Sequence, residues 1–354
     1  MKQLRIAVLP GDGIGPDVVA EGIKVLRAVE PKLDGVAFEL AEFSVGAREY
    51  LNSGNPLPPG TVEAIKSYDA VLLGAMGLPD VRWPNGTEMT PQIDLRELLD
   101  LYNGLRPIRL FHAAHSPLKG YGAGDIDFVI VRENTEGLFS ARQAPAAGNG
   151  EEATDVMRIT RRGAERIARA AFAEARRRDR QKLVTLVDKA NVLPSMAYFR
   201  KIFDEVSGEF PEIRTERIYV DAASLYLVQR PERFDVLMTE NMFGDILSDL
   251  AAGLVGGMGM APSGDVGDRY AVFQPSHGSA PDIAGKGCAN PVATILSVAM
   301  MLDWLGPATA PGGRLIREAV ARVLADGTVR TRDLGGETGT AEMGSRIAEE
   351  VACA

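Results

Sequence analysis

Short β-branched runs recur along this chain, each followed by a segment of helical periodicity, and this alternation restricts the fold to an α/β sheet protein. Ile6 to Leu9 reads as a buried strand, and Asp17 to Glu30 as a helix with Val18, Val19, Ile23, Val25, Leu26 and Val29 on its apolar side. Thr61 to Ser67 reads as helical and leads into a strand from Ala70 to Leu73. Phe128 to Val131 and Leu183 to Val187 read as central strands separated by a helix over Arg161 to Arg180. Phe234 to Met238 is a strand feeding a helix that starts near Asn241, and helices over Pro291 to Leu305 and Gly313 to Leu324 fill the C-terminal third. A length of 354 residues suits about two domains. Gln143 to Glu152 is Ala/Pro/Gly-rich and reads as a surface excursion or arm, and Gly253 to Gly267 as irregular backbone. No segment reads as a flexible tether, so a continuous sheet and two separate bodies both stay open.

Composition narrows the function. With 39 Lys+Arg against 48 Asp+Glu the formal charge is −9, which disfavours a general nucleic-acid binder. No apolar run approaches the roughly 20 residues that span a bilayer, so no membrane partner is expected. Two cysteines, Cys288 and Cys353, make no disulfide framework or zinc spacing, and Met1 to Arg5 leads into the first strand without a secretory core. A cytoplasmic location is the simplest expectation.

Gly11-Asp12-Gly13-Ile14-Gly15-Pro16 follows a strand and precedes a helix, but its spacing is not that of a dinucleotide fingerprint and it lacks a Walker lysine. A sharp β–α turn and a ligand loop are evenly matched there, and a phosphate-transfer enzyme is disfavoured. In Asn241 to Asp249, helical spacing puts Asp245 and Asp249 on one face with Asn241 and Ser248, and Phe243, Ile246, Leu247 and Leu250 opposite. Like charges at i,i+4 cost roughly 0.2–0.5 kcal/mol unless neutralised, and no Lys, Arg or His lies between Arg233 and Arg269 to do so locally. A hard divalent cation would neutralise them, with Asp221 a candidate third carboxylate. Arg96, Arg106 and Arg132 would suit a di- or tricarboxylate if they converge, although spacing alone favours solvated ion pairs. Lys189 stands just past a strand, at the sheet edge where α/β proteins bind ligands. His277 to Gly285 is polar and glycine-punctuated, as a cofactor loop is, and an acid such as Asp282 would accept a ribose 2′-hydroxyl and repel a 2′-phosphate. His112 and His115 lack further ligands, and the Arg176 to Arg180 run reads as a solvated helix end.

Together these blocks resemble the metal-dependent β-decarboxylating dehydrogenases, the isocitrate/isopropylmalate family, from Leu9–Pro16 through Asp333-Leu334-Gly335-Gly336, and look nearest to its 3-isopropylmalate members. The resemblance implies an α/β two-domain fold with a continuous central sheet that is not Rossmann. It implies a discontinuous large cofactor domain (1–100 plus 252–354) and a central domain (101–251) for dimerisation, substrate and metal. By the same resemblance, Arg96, Arg106 and Arg132 bind the malate carboxylates, while Asp221, Asp245 and Asp249 hold Mg²⁺ or Mn²⁺. Lys189 serves as or assists the base, with Asp221 beside it. His277, Gly278, Ser279, Ala280, Asp282, Ile283 and Asn290 contact NAD. Lys189 and Asp221 reach into a partner's cleft, so a homodimer with shared active sites is implied.

Two positions depart from the family pattern. Phe139 stands seven residues after Arg132, where the family has a tyrosine assigned to protonating the enol. Gln92 and Ile93 stand where isopropylmalate enzymes have two leucines. Ile93 and Val192 still suit an apolar pocket, whereas an unpartnered buried amide at Gln92 would cost about 1–3 kcal/mol and favour a polar substituent. The expected activity is NAD- and metal-dependent oxidative decarboxylation of a 3-substituted (2R)-malate, first 3-isopropylmalate, then tartrate or D-malate. Phe139 raises the alternative of a non-catalytic regulatory subunit, against which stand the retained lysine, three aspartates and three arginines.

Overall fold

In the computed structural model, which describes residues 2–142 and 152–354, ten strands form one sheet. They are β1 (Lys2–Gly11), β2 (Val36–Glu42), β3 (Ala70–Ala75), β4 (Asn103–Arg109), β5 (Asp127–Glu133), β6 (Leu183–Asp188), β7 (Arg214–Tyr219), β8 (Val236–Thr239), β9 (Pro262–Val266) and β10 (Ala271–Pro275). Their spatial order is β2-β1-β3-β10-β9-β4-β5-β8-β6-β7. The chain ends thus build one half of the sheet and the middle builds the other. Pairing is parallel at both flanks and antiparallel where the halves meet, between β10 and β9, β9 and β4, and β4 and β5. This is a continuous sheet, and its order is not the all-parallel 3-2-1-4-5-6 of a Rossmann domain. Residues 143–151, most of the expected arm, lie outside the described residues.

Helices bury both faces. Val292–Trp304 is apolar nearly all round and packs under β9 and β10, with Ala310–Ala325 and Thr340–Cys353 outside it. Arg161–Arg178 and Pro194–Ser207 cover the other half through Phe172, Phe199 and Phe203. The first of these begins where the Thr160 hydroxyl accepts the Gly163 amide and ends at Asp179 in the left-handed region, φ 48°.

Three expectations need correction. Gly253 to Gly267 is not irregular throughout, because it contains β9, with Pro262 at the first strand position, where a missing N–H is tolerated. Ile246 is not buried with Phe243 and Leu247 but 59% exposed. The Arg176 to Arg180 run is not a uniformly solvated face, since Arg178 turns inward to donate to Asp235 (2.9 Å) and Asp127 (2.8 Å). The Gly11–Pro16 block forms a tight turn between the first strand and helix. Gly11 has φ 75°, and a Cβ there would sit 2.1 Å from the Ala75 carbonyl oxygen.

Candidate active site

Strand alternation aims every second residue of β4, β9 and β10 at one face of the sheet, and there Arg106, Asp265 and Gln274 meet. Arg96 reaches the same point from the Pro91–Leu98 helix. Asp265 is buried and accepts four hydrogen bonds, two on each oxygen. Arg96 Nε (2.9 Å) and Gln274 Nε2 (2.8 Å) donate to one, Arg106 Nη2 (2.9 Å) and Asn134 Nδ2 (2.8 Å) to the other. Burial alone would push the Asp265 carboxyl up, but the flanking Arg96 and Arg106 guanidiniums outweigh it and hold the group well below the usual carboxylate range. The surplus of two guanidiniums over one carboxylate leaves a positive field at this end of the pocket.

Arg132, at the end of β5, is buried too. Its Nε and Nη2 both donate to Asn241 Oδ1, at 3.0 and 2.7 Å, and its Nη1 pairs with Asp245. Burial, and then repulsion from Arg96, lowers its pKa to about 10, which still leaves it charged at neutral pH. Gly244 makes this packing possible, since a Cβ there would lie 2.6 Å from Arg132 Cγ. The neutralising cation that the local sequence lacked is therefore supplied across the sheet to Asp245. Asp249 lies one turn on. Partial burial and then the Asp245 charge raise its pKa, and together the two carboxylates present oxygen atoms of the kind a hard divalent cation takes.

Arg96, Arg106, Arg132, Asp245, Asp249 and Gln274 line one cleft of about 230 Å³ together with Gln92, Ile93, Phe139, Ser248, Ser276 and His277. The three arginines and two of the three expected metal carboxylates converge. Lys189, Val192 and Asp221 do not join them. Lys189 Nζ donates to Asp221 at 2.7 Å, the Val192 amide donates to the Lys189 carbonyl at 3.0 Å, and this group faces outward, with Asp221 67% exposed. The lysine ammonium holds the Asp221 carboxyl below its ordinary range. Among the described residues, no set of three His, Cys, Asp or Glu side chains in this chain is placed to enclose a metal.

Phe139 occupies a short turn, with the Arg132 guanidinium over its ring 5.5 Å from the centroid, and the ring has no proton to offer the cleft. Gln92 Oε1 is buried without a hydrogen-bond partner, as are Ser276 Oγ and His277 Nε2, three polar atoms of the cleft lining left unsatisfied by the protein. Burial lowers the His277 pKa, and the ring holds its Nδ1 2.9 Å from the Gly278 carbonyl. The loop it opens packs on the first turn of the chain: the Ile14 amide donates to the Ser279 carbonyl (2.8 Å), and Ala280 adopts φ 36°. Ile283 packs on Ile14 and Val18, and Asp282 is exposed. Asn290 is buried, its amide donating to Asp333 (3.0 Å) and its oxygen accepting from Val292 (3.0 Å).

Sequence reading missed Asp265, Gln274 and Asn134. Asp265 carried no signal, lying in a stretch read as loop, although a strand there would have aimed it opposite Val266. Asn134 stood in a quoted block without a partner to reveal its role.

Known proteins match this chain in sequence and in fold. Residues 5–347 match the isocitrate/isopropylmalate dehydrogenase family. A 3-isopropylmalate dehydrogenase of Moorella thermoacetica is 46% identical, with 98% of this chain and 99% of that protein covered. The 3-isopropylmalate dehydrogenase of Aquifex aeolicus is 42% identical over 99% and 98%. Among solved structures, an isocitrate dehydrogenase from Methylococcus capsulatus superposes with a TM-score of 0.89 at 39% identity, covering 99% of both chains. A β-decarboxylating dehydrogenase from Thermococcus kodakarensis gives 0.81 at 41%, covering 98% and 96%.

Proposed function

Because this chain belongs to the isocitrate/isopropylmalate dehydrogenase family, and is a decarboxylating dehydrogenase of that family, we propose that it oxidises and decarboxylates a 3-substituted (2R)-malate with NAD and Mg²⁺ or Mn²⁺. 3-Isopropylmalate is the first substrate of choice, as the names of the relatives support. The observation that carries the reading is the convergence of three buried guanidiniums on one cleft that also holds Asp245 and Asp249.

In this reading Arg96, Arg106 and Arg132 grip the two carboxylates of the malate, fixing its carbinol carbon toward the His277 loop. Asp245 and Asp249 offer hard oxygen ligands, and Asp221 completes the set from a second copy of the chain. A bound divalent metal would supply Lewis acidity and NAD would supply a hydride acceptor. Lys189, also from the second copy, takes the hydroxyl proton. His277, Gly278, Ser279, Ala280, Asp282, Ile283 and Asn290 form the nucleotide side, where the unsatisfied His277 Nε2 awaits a donor or acceptor.

A homodimer is supported by the exposed apolar side chains on two adjacent helices. Leu225 and Val228 on Val220–Gln229 and Ile246 on Asn241–Gly253 are 52%, 46% and 59% exposed. These helices also carry Asp221, Asp245 and Asp249, so pairing them between copies brings the outward-facing Lys189–Asp221 pair toward the other cleft. A division into 1–100 plus 252–354 and 101–251 fits the sheet order, and among the described residues no helix is long and apolar enough to cross a membrane.

One observation favours a second substrate. The unpartnered Gln92 Oε1 would accept a hydrogen bond from a hydroxyl at C3, as tartrate offers. Steady-state NADH formation with Mn²⁺ on 3-isopropylmalate, tartrate and D-malate decides between them. Absence of turnover on all three would reject the substrate class.

A further inference from the structure

We propose that the groove on the opposite face of the sheet from the active-site cleft binds an organic monoanion with an apolar body. The groove measures about 560 Å³, within the range of small-molecule sites. It is the other side of the same strands. Leu105 and Pro107 flank Arg106, Val266 follows Asp265, and Phe273 precedes Gln274, each pointing away from the cleft. Met260, Phe273 and Leu296 form the buried floor, and Met300 and Trp304 of the Val292–Trp304 helix remain partly exposed along one wall. The opposite wall is the C-terminal turn of Arg161–Arg178.

The charges around this floor define the ligand. Arg177 pairs with Glu174, Arg178 with Asp127 and Asp235, Arg180 with Asp127, and Arg317 with Asp303. Arg109 lines the groove as well, and among the described residues it forms no ion pair, resting only near the Phe111 ring at 5.5 Å. Five guanidiniums and three carboxylates, Asp127, Glu174 and Asp303, line the groove, and the buried Asp235 behind the lining pairs with Arg178, so that among the described residues the one groove arginine without an ion-pair partner is Arg109. An occupant with one carboxylate or sulfonate completes the balance, while its hydrocarbon part covers Met300 and Trp304. A small dianion is a poor fit, because the floor offers it no second donor set.

The anion 8-anilinonaphthalene-1-sulfonate is a direct probe, since Trp304 sits in the groove and the only other tryptophan is Trp83. The folded protein should bind one equivalent per chain, with energy transfer from tryptophan that is lost in Trp304→Phe. Arg109→Glu and Met300→Glu should each weaken binding at least tenfold while leaving malate oxidation at saturating substrate unchanged. Hexanoate should displace the probe and hexylamine should not. Binding unaffected by Arg109→Glu and Met300→Glu, displacement by 3-isopropylmalate with Mn²⁺, or equal displacement by hexylamine would each overturn the proposal.

Discussion

The two faces of β4, β9 and β10 use arginine in opposite ways. On the cleft side, Arg96, Arg106 and Arg132 are buried and share too few carboxylates, so the surplus positive charge is held in low dielectric and pointed at space. On the groove side all but one arginine is matched, and the unmatched Arg109 is solvated. The difference teaches where charge does chemistry. A solvated guanidinium needs no counterion, whereas a buried one must be offset by partners such as Asp265 and Asn241 and then acts more strongly on an incoming anion.

Asp265→Ala breaks the cleft side most severely. It strands Arg96 and Arg106 without their buried counterion, and we expect a loss of about 3–5 kcal/mol in urea unfolding together with a much raised KM. Loss of under about 1 kcal/mol would mean that the arginines relax into solvent and the cleft is less rigid than the hydrogen bonds indicate.

A pH titration of stability sharpens the same contrast. Glu133, next to Arg132, is buried and accepts from the Thr135 and Glu136 amides, and burial raises its pKa to about 7. Between the unfolded value near 4.5 and this value the folded chain binds the extra proton, so this group's contribution falls as pH rises through the window, by up to about 3 kcal/mol. Thermal melts of Glu133→Gln against the parent from pH 4.5 to 8 should show the variant gaining relative stability as pH rises. Parallel curves would place the Glu133 titration outside this window.

A smaller effect is expected at Phe139, whose ring touches the cleft without a proton to give. Phe139→Tyr should raise the ketone formed per CO₂ released by a few-fold in early turnover. An unchanged ratio would assign enol protonation to another group, for which the unpartnered Ser276 hydroxyl is placed in the lining. The smallest effect belongs to the groove side. Arg109→Ala should alter stability by under about 0.5 kcal/mol by calorimetry, and a larger loss would show that its charge is already balanced.

Much of this was legible in sequence because periodicity and residue type are local. The strand–helix alternation, the Asp245–Asp249 face and the arginine types follow from spacings of one to four residues. That glycine is demanded at Gly11 and Gly13 needed tertiary contacts to be seen, because the clashes are with Ala75 and Ser279, far along the chain.

What the sequence by itself determined is the class of fold, the guanidinium and carboxylate types that meet in the cleft and, through resemblance, the family. Only the tertiary structure decided that Asp265 anchors two of the arginines, that Arg132 neutralises Asp245, that Lys189, Val192 and Asp221 stand apart from the cleft, and that Arg178 turns inward. The physical reason is range. Helical and strand periods are set by neighbouring residues, whereas a buried charge is satisfied by whichever partner the sheet order brings near, in these cases up to 169 residues away.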